Sequence, residues 1–329
     1  MTRANAKGRA PARSSKAVAG RVVELRVRAA AKVNLALRVG PLRPDGYHDL
    51  ATLMVPLDLF DAVAVRVHLD RAGEVECRVP NRSELDGPAN LAALAAEAFR
   101  RRFGVAERLE VTVEKRIPVT AGLGGGSSDA AAVLRALARA YRIRDRGALG
   151  EVALEVGSDV PFFLGPGPAW ATGRGEKLAP VSVPTLELVL AYPRDPALAI
   201  RAGDAYRWLD ASRAASRSPS GAPRPMRRAF RATLAQNDLQ GPCFERHPLL
   251  RTLAGQLVGA GATATIMSGS GPTVFGIFPD RAAARRTATR MREVGPEIDV
   301  HVVRTLQRHP GVFRWASPRS GSSASLKSD

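Results

Sequence analysis

The run from Pro118 to Ser128 (Pro-Val-Thr-Ala-Gly-Leu-Gly-Gly-Gly-Ser-Ser) constrains the fold of this chain more than any other segment. Ahead of it, residues 109–115 alternate as a strand does. Behind it, Asp129-Ala-Ala-Ala-Val-Leu-Arg-Ala-Leu-Ala predicts a helix with Ser and Asp at its start. A glycine turn that opens a helix is suited to anions. Gly122, Gly124, Gly125 and Gly126 allow backbone N–H groups to come close to a ligand. The helix start adds unpaired donors and the positive end of its dipole. Ser127 and Ser128 add hydroxyls. No lysine follows the last glycine, so this is not a Walker loop, and the G-x-G-G-G spacing is not the dinucleotide fingerprint. Taken alone, the run also reads as a flexible turn capping an Ala-rich helix.

Strands are expected at 22–28, 33–39, 50–57, 62–68, 74–79, 169–172, 186–192, 262–267, 273–278 and 298–304. Helices are expected from Asn90 to about 102, at 147–156, at 247–258 and at 280–294. They interleave without regular βαβ spacing, so the fold class is α+β. The length, 329 residues, suits two domains or one large one. With 45% hydrophobic and 24% charged residues, global disorder is not expected. No apolar run approaches the roughly 18 residues of a membrane helix, and the basic N-terminus lacks an apolar signal core. Cys77 and Cys243 are too few for a disulfide scaffold, and His48, His68, His247, His301 and His309 show no metal-ligand spacing. A cytoplasmic protein with no membrane partner is expected.

The net charge of +18 suggests nucleic acid until it is located. Most of it lies in residues 1–21, 211–231 and 304–329, which leaves the body almost neutral. No nucleic-acid partner is therefore expected. Lysine is scarce: only residues 7, 16, 32, 115, 177 and 327, among 49 basic side chains. A compact ammonium does what a guanidinium fork cannot, which singles out Lys32, Lys115 and Lys177.

Several positions carry two readings. Lys32 and Asn34 share a strand face opposite Val33, Leu35, Leu37 and Val39; they are either a solvated edge or part of a site. Asp159, in Gly157-Ser-Asp-Val-Pro-Phe-Phe163, is either a turn or cap residue or a catalytic one. Ser268-Gly-Ser-Gly271 reads first as a tight hairpin. Tyr47 and His48 follow a polar turn with Pro44, Asp45 and Gly46, and His48 is either structural or functional.

Taken together, AAAKVNLAL, RPDGYHDL, PVTAGLGGGSSDAAAVL, GSDVPFFL, NDL and IMSGSGPTVF closely resemble the GHMP small-molecule kinases over roughly residues 22–305. The resemblance implies an N-terminal ATP-binding α+β domain at 22–180 and a C-terminal ferredoxin-like α/β domain at 181–308. It excludes a basic tail at 1–21 and a tail at 309–329, both expected to be disordered, and a low-complexity insert at 211–228, expected on the surface. It implies phosphoryl transfer from MgATP, with ATP and Mg2+ as cofactors, to the 2-hydroxyl of a cytidyl diphosphate sugar alcohol.

The implied catalytic residues are Asp159 as general base and Lys32 as its partner. The implied ATP site comprises Pro118, Val119, Thr120, Ala121, Gly122, Leu123, Gly124, Gly125, Gly126, Ser127 and Ser128, with Asn90 and Lys115. Asn34, Tyr47, His48 and Tyr206 match positions near the acceptor. Two positions depart from the family pattern. Ala202 stands where a threonine usually precedes the aromatic Tyr206, and Ser268 stands where threonine is also common. The alternatives are a related kinase with a mevalonate- or homoserine-like acceptor, and a basic nucleic-acid-binding module without catalysis.

Overall fold

The computed structural model describes residues 21–216, 230–295 and 297–314. Two long antiparallel strands form its axis, β1 (Val22–Leu42) and β2 (His48–Ala72). Each joins two of the expected strands, because register shifts between Ala30 and Lys32 and between Asn34 and Ala36 let the ribbon bend without breaking. Next come β3 (Val75–Arg78), α1 (Leu91–Phe103), β4 (Glu107–Glu114), α2 (Gly125–Ala140), α3 (Arg146–Val156), α4 (Val160–Leu164), β5 (Ala169–Gly173) and β6 (Lys177–Pro180). The second half follows: β7 (Glu187–Pro193), α5 (Ala202–Ser216), β8 (Gln236–Asn237), α6 (Gln240–Arg246), α7 (Pro248–Gly259), β9 (Ala264–Met267), β10 (Val274–Phe278), α8 (Arg281–Val294), β11 (Ile298–Arg304) and β12 (Val312–Arg314).

The first sheet runs β12-β1-β2-β4-β3, with β5 and β6 attached through β2 and β8 parallel to β1. The second runs β11-β7-β10-β9, all antiparallel, the order of the ferredoxin-like pattern expected for the C-terminal half. One core lies between the first sheet and α1 to α4, with Phe99, Leu134 and Phe162 fully buried. A second fills the C-terminal half around Leu250, Leu253 and Val274. A third, including Val33, Leu35, Ile117, Leu190 and Phe275, welds the two sheets together. Among the described residues no helix is long and apolar enough to cross a membrane.

Several expectations need correction. Helix α2 begins at Gly125 rather than near Asp129: Gly124, in the left-handed region, takes the N-cap position, and Asp129 is buried inside the helix. Residues 211–216 of the expected insert are the last turns of α5, where Arg213 donates to the Val39 carbonyl (2.8 Å) and to Asp238 (3.2 Å). Arg21, placed in the basic tail, is hydrogen-bonded to the end of β2 through Leu69 and Asp70. The tail expected from 309 is ordered as far as 314. There His309 packs between Phe162 and Phe163, and β12 pairs with β1. The remainder of those basic segments, 1–20, 217–229 and 315–329, lies outside the described residues.

Candidate active site

A cleft of about 1240 Å³ opens where β1, the glycine turn, α4 and α5 converge. Lys32 and Asn34 reach into it from one face of β1, where Lys32 Nζ donates to Asn34 Oδ1 (2.8 Å). Asn34 Nδ2 donates to Thr52 Oγ1 (2.7 Å), which donates to the Ala36 carbonyl (2.8 Å). This chain fixes both rotamers. Neither residue is a solvated edge: each is about 5% exposed or less, on a strand flanked on both sides.

Asp159 sits at the N-cap of α4, yet its side chain caps nothing. Its carboxylate is 39% exposed in the cleft, with Oδ2 3.6 Å from the buried Lys32 ammonium. The cap reading fails for that reason.

The glycine turn is bound to the strand beneath it by the Lys32 N–H to the Leu123 carbonyl (2.9 Å). Gly122 and Gly124 have φ of +73° and +69°, so a side chain at either would be strained. A Cβ on Gly122 would run into the Ser268 carbonyl, and one on Gly124 would meet Lys32 Cγ and Phe163 Cζ at 3.0 Å. No side chain caps α2, which leaves its first N–H groups open. That is the arrangement an anion fits.

The stretch 268–271 is the expected hairpin turn between β9 and β10, closed by Ser268 N–H to the Thr273 carbonyl (2.9 Å). It has a second role. The Ser268 hydroxyl donates to the Gly122 carbonyl (2.9 Å), bracing the glycine turn from behind. Asn237 clamps the same hairpin, donating to the carbonyls of Met267 and Gly269 at 2.7 Å each.

Of the eleven turn residues expected at the nucleotide, Gly122, Gly124 and Ser127 line the cleft. Ala121, Leu123, Gly125 and Ser128 are buried beneath it, and the Val119 carbonyl accepts from the Tyr192 hydroxyl (3.1 Å). Asn90 is committed to its own helix: Oδ1 caps Ala92 N–H and Nδ2 donates to the Leu85 carbonyl, both at 2.9 Å. Its neighbour Leu91 faces the cleft instead. Lys115 does not reach the cleft, because two buried carboxylates, Asp61 and Asp129, hold its ammonium. Lys177 is exposed on β6.

The opposite wall carries Tyr47, His48 and Tyr206. The His48 ring is stacked on Tyr206, with centroids 5.3 Å apart and planes 12° from parallel. His48 Nδ1–H donates to the Gly40 carbonyl (2.9 Å), and Nε2 lies 3.3 Å from Asp210. Burial, then the nearby Asp159 carboxylate, pushes the Tyr206 phenol up to about 12, so it presents a neutral ring. Tyr47 is half exposed, with the Arg174 guanidinium 3.5 Å above its ring. Ala202 opens α5 at the cleft edge and brings no hydroxyl there.

Thr52, Arg174 and Asp210 were not foreseen. Each acts through a partner remote in sequence, and only Asn237 carried a signal, as part of the NDL motif.

An open helix start facing a lysine–aspartate pair across one cleft is the architecture of a small-molecule phosphotransferase. Residues 90–167 match the GHMP kinases N terminal domain, and residues 220–297 match the GHMP kinases C terminal domain. The chain belongs to the GHMP kinase family. A 4-diphosphocytidyl-2-C-methyl-D-erythritol kinase from Anaeromyxobacter dehalogenans is 64% identical over 304 residues, covering 91% of this chain and 96% of that protein. One from Symbiobacterium thermophilum is 38% identical, covering 84% of this chain and 98% of that protein. A crystal structure of 4-(cytidine 5'-diphospho)-2C-methyl-D-erythritol kinase superimposes with a TM-score of 0.69 at 33% identity, covering 85% of this chain and 98% of that one. A homoserine kinase from Cytophaga hutchinsonii shares the fold, with a TM-score of 0.60 at 17% identity over 93% of this chain and all of that one.

Proposed function

We infer that the chain is a 4-diphosphocytidyl-2-C-methyl-D-erythritol kinase, an ATP-dependent enzyme of the non-mevalonate isoprenoid pathway. The observation that carries this reading is the pairing of Lys32 with the uncapped, cleft-facing Asp159. The pair shares its cleft with the glycine turn and with the aromatic wall of Tyr47, His48 and Tyr206.

Phosphoryl transfer needs positioning and charge stabilisation more than covalent chemistry. The open N–H groups of α2 and its dipole receive the nucleotide phosphates. Lys32, held by Asn34, offers fixed positive charge to the group in transfer. Asp159 accepts the proton of the acceptor's 2-hydroxyl. The aromatic wall takes the cytosine ring, which no untagged acceptor would need.

Among the described residues no group of three or more His, Cys, Asp or Glu side chains is placed to hold a metal ion. Mg2+ held mainly by nucleotide phosphates needs only one or two protein oxygens, and the Ser127 hydroxyl and Asp159 both face the cleft. Bound there, Mg2+ would neutralise part of the phosphate charge.

The test is to incubate the enzyme with MgATP and, separately, the cytidyl substrate, untagged methylerythritol, mevalonate and homoserine, following ADP release. The cytidyl substrate alone should turn over, giving a new monophosphate ester by phosphorus NMR. Equal turnover of untagged methylerythritol would remove the cytidine reading and leave a GHMP kinase with another acceptor.

A further inference from the structure

Behind the glycine turn, away from the cleft, lie three buried ionisable side chains that the phosphate-binding scheme above does not use. Lys115 Nζ is 2.5 Å from Asp61 Oδ2 on β2 and 2.7 Å from Asp129 Oδ2 on α2. The three side chains are 7%, 0% and 4% exposed, respectively. Buried charges are tolerated only when they balance, and two ionised carboxylates against one ammonium would leave an excess negative charge.

The two carboxylates are not equivalent. Asp61 also accepts the backbone N–H groups of Arg116 (2.5 Å) and Ile117 (2.8 Å) on Oδ1. Several donors on one carboxylate favour its ionised form. Asp129 accepts no backbone N–H: Oδ2 accepts from the ammonium, the Asp61 carboxylate is within hydrogen-bonding range, and Oδ1 is buried without a partner. Burial, with Asp61 close by, raises the Asp129 carboxyl well above the usual range. Among the described residues no other cation is paired with the cluster. The Arg116 guanidinium is turned outward to Glu114, and the nearby Cys77 thiol on β3 is pushed up to about 11, chiefly by burial.

The cluster's position matters as much as its charge. A Cβ built on Gly125, the first residue of α2, would lie 3.2 Å from Lys115 Nζ and 3.1 Å from Ile117 Cγ2. The ammonium is thus directly beneath the start of the helix. Asp61 pins the chain entering the turn, while Asp129 belongs to the helix leaving it.

We propose that Lys115 is a positioning residue that sets the seat of the α2 N-terminus, with Asp61 as its counter-ion and Asp129 meeting it as a neutral carboxyl. The proposal rests on the nucleotide-binding reading above. It assigns Lys115 no contact with ATP, and it makes two geometrically similar aspartates chemically different.

The experiment compares Lys115→Met, Asp61→Asn and Asp129→Asn in the full chain. Two readouts are taken: ADP affinity by calorimetry without acceptor, and melting temperature without nucleotide. Lys115→Met and Asp61→Asn should weaken ADP binding by about tenfold or more, because each leaves a buried charge unpaired. Their KM for ATP should rise by more than kcat falls. Asp129→Asn should keep ADP affinity within about threefold, since its amide oxygen still accepts from the ammonium. Lys115→Met with wild-type ADP affinity would overturn the positioning role. Asp129→Asn as damaging as Asp61→Asn would overturn the charge assignment. Should Lys115→Met or Asp61→Asn fail to fold, the melting temperature of Asp129→Asn decides: near wild type supports the neutral carboxyl, and a comparable collapse refutes it. A wild-type chain that binds no ADP would count against the kinase reading itself, while the unliganded melting temperatures would still rank the two aspartates.

Discussion

At the scale of single residues, the site depends on side chains withheld from their ordinary tasks. Asp159 occupies a capping position without capping, so its carboxylate is free for a proton. Asp159→Asn should therefore lower kcat by about 10²–10⁴, the usual worth of a positioned base. ADP affinity measured by calorimetry should barely move. Near-normal turnover in that variant would remove Asp159 from the chemistry. His48 works in the opposite way, through commitment: both ring nitrogens face partners, Gly40 and Asp210, and one ring face lies on Tyr206. In the proposed reading it would shape the acceptor wall rather than offer a free nitrogen to the cytosine edge. His48→Ala leaves the Gly40 carbonyl unpaired and Tyr206 unsupported. A tenfold or greater rise in acceptor KM is expected, in line with about 1–3 kcal/mol for an unpaired buried polar group, with ATP KM unchanged. Steady-state kinetics with each substrate varied in turn would show it. A rise confined to ATP KM would contradict this assignment.

At the scale of elements, the segment that crosses behind α4 ties residues 309–310 to the helix that follows Asp159. His309 sits edge-on to Phe162 and Phe163, two helical residues only a few positions past Asp159, and the Pro310 carbonyl accepts from Arg135. Burial, then the Arg135 charge, pushes the His309 imidazole down from 6.5 to about 4. Between those two values the unfolded chain binds the proton more readily than the folded one. The stability owed to the neutral ring is complete above about pH 6.5 and drains away as pH falls to about 4. The loss is of order 1–3 kcal/mol. His309→Phe keeps an aromatic wedge but has no proton to take up. Its melting temperature should fall less steeply than wild type between pH 6.5 and 4.5 in a calorimetric series. Parallel pH profiles would refute the role.

Elements were legible where a local period exists. The alternation at 33–39 and the glycine run before an Ala-rich helix placed β1, α2 and the turn between them, with Lys32 and Asn34 on one face. Helix α4 escaped notice because five residues led by a proline show no period. Helix α5 was not expected at all, and its last turns lie in Ser, Arg and Ala that read as low complexity. The scarcity of lysine flagged Lys115, but not its partners. Asp61 is 54 residues away and Asp129 14 away, and a lone acid in a strand or helix announces nothing until the fold brings it to a cation.

At the scale of the whole molecule, most of the surplus positive charge falls in three segments of the sequence, 1–21, 211–231 and 304–329. Among the described residues, those that line the cleft fall between Lys32 and Ser270. Deleting residues 1–20 and shortening 217–229 should leave kcat/KM within a few-fold at physiological ionic strength, where charges beyond about 8 Å are screened. A large loss in a folded variant would mean that these arginines gather the anionic substrates.

Strand β1 passes in turn through all three cores: Leu25 and Val27 in the first, Val33 and Leu35 in the one joining the sheets, and Leu37 and Val39 in the last. The floor of the cleft is therefore a single beam built into both walls. Such a floor cannot bend like a jaw, since flexing it would shear three sets of packed side chains at once. The rim is less tied down: there the exposed tips at Tyr47 and Arg174 touch through one ring and one guanidinium. The cleft is built less like a clam than like a bench vise with a fixed bed, its bed held by three cores and its rim by a single contact.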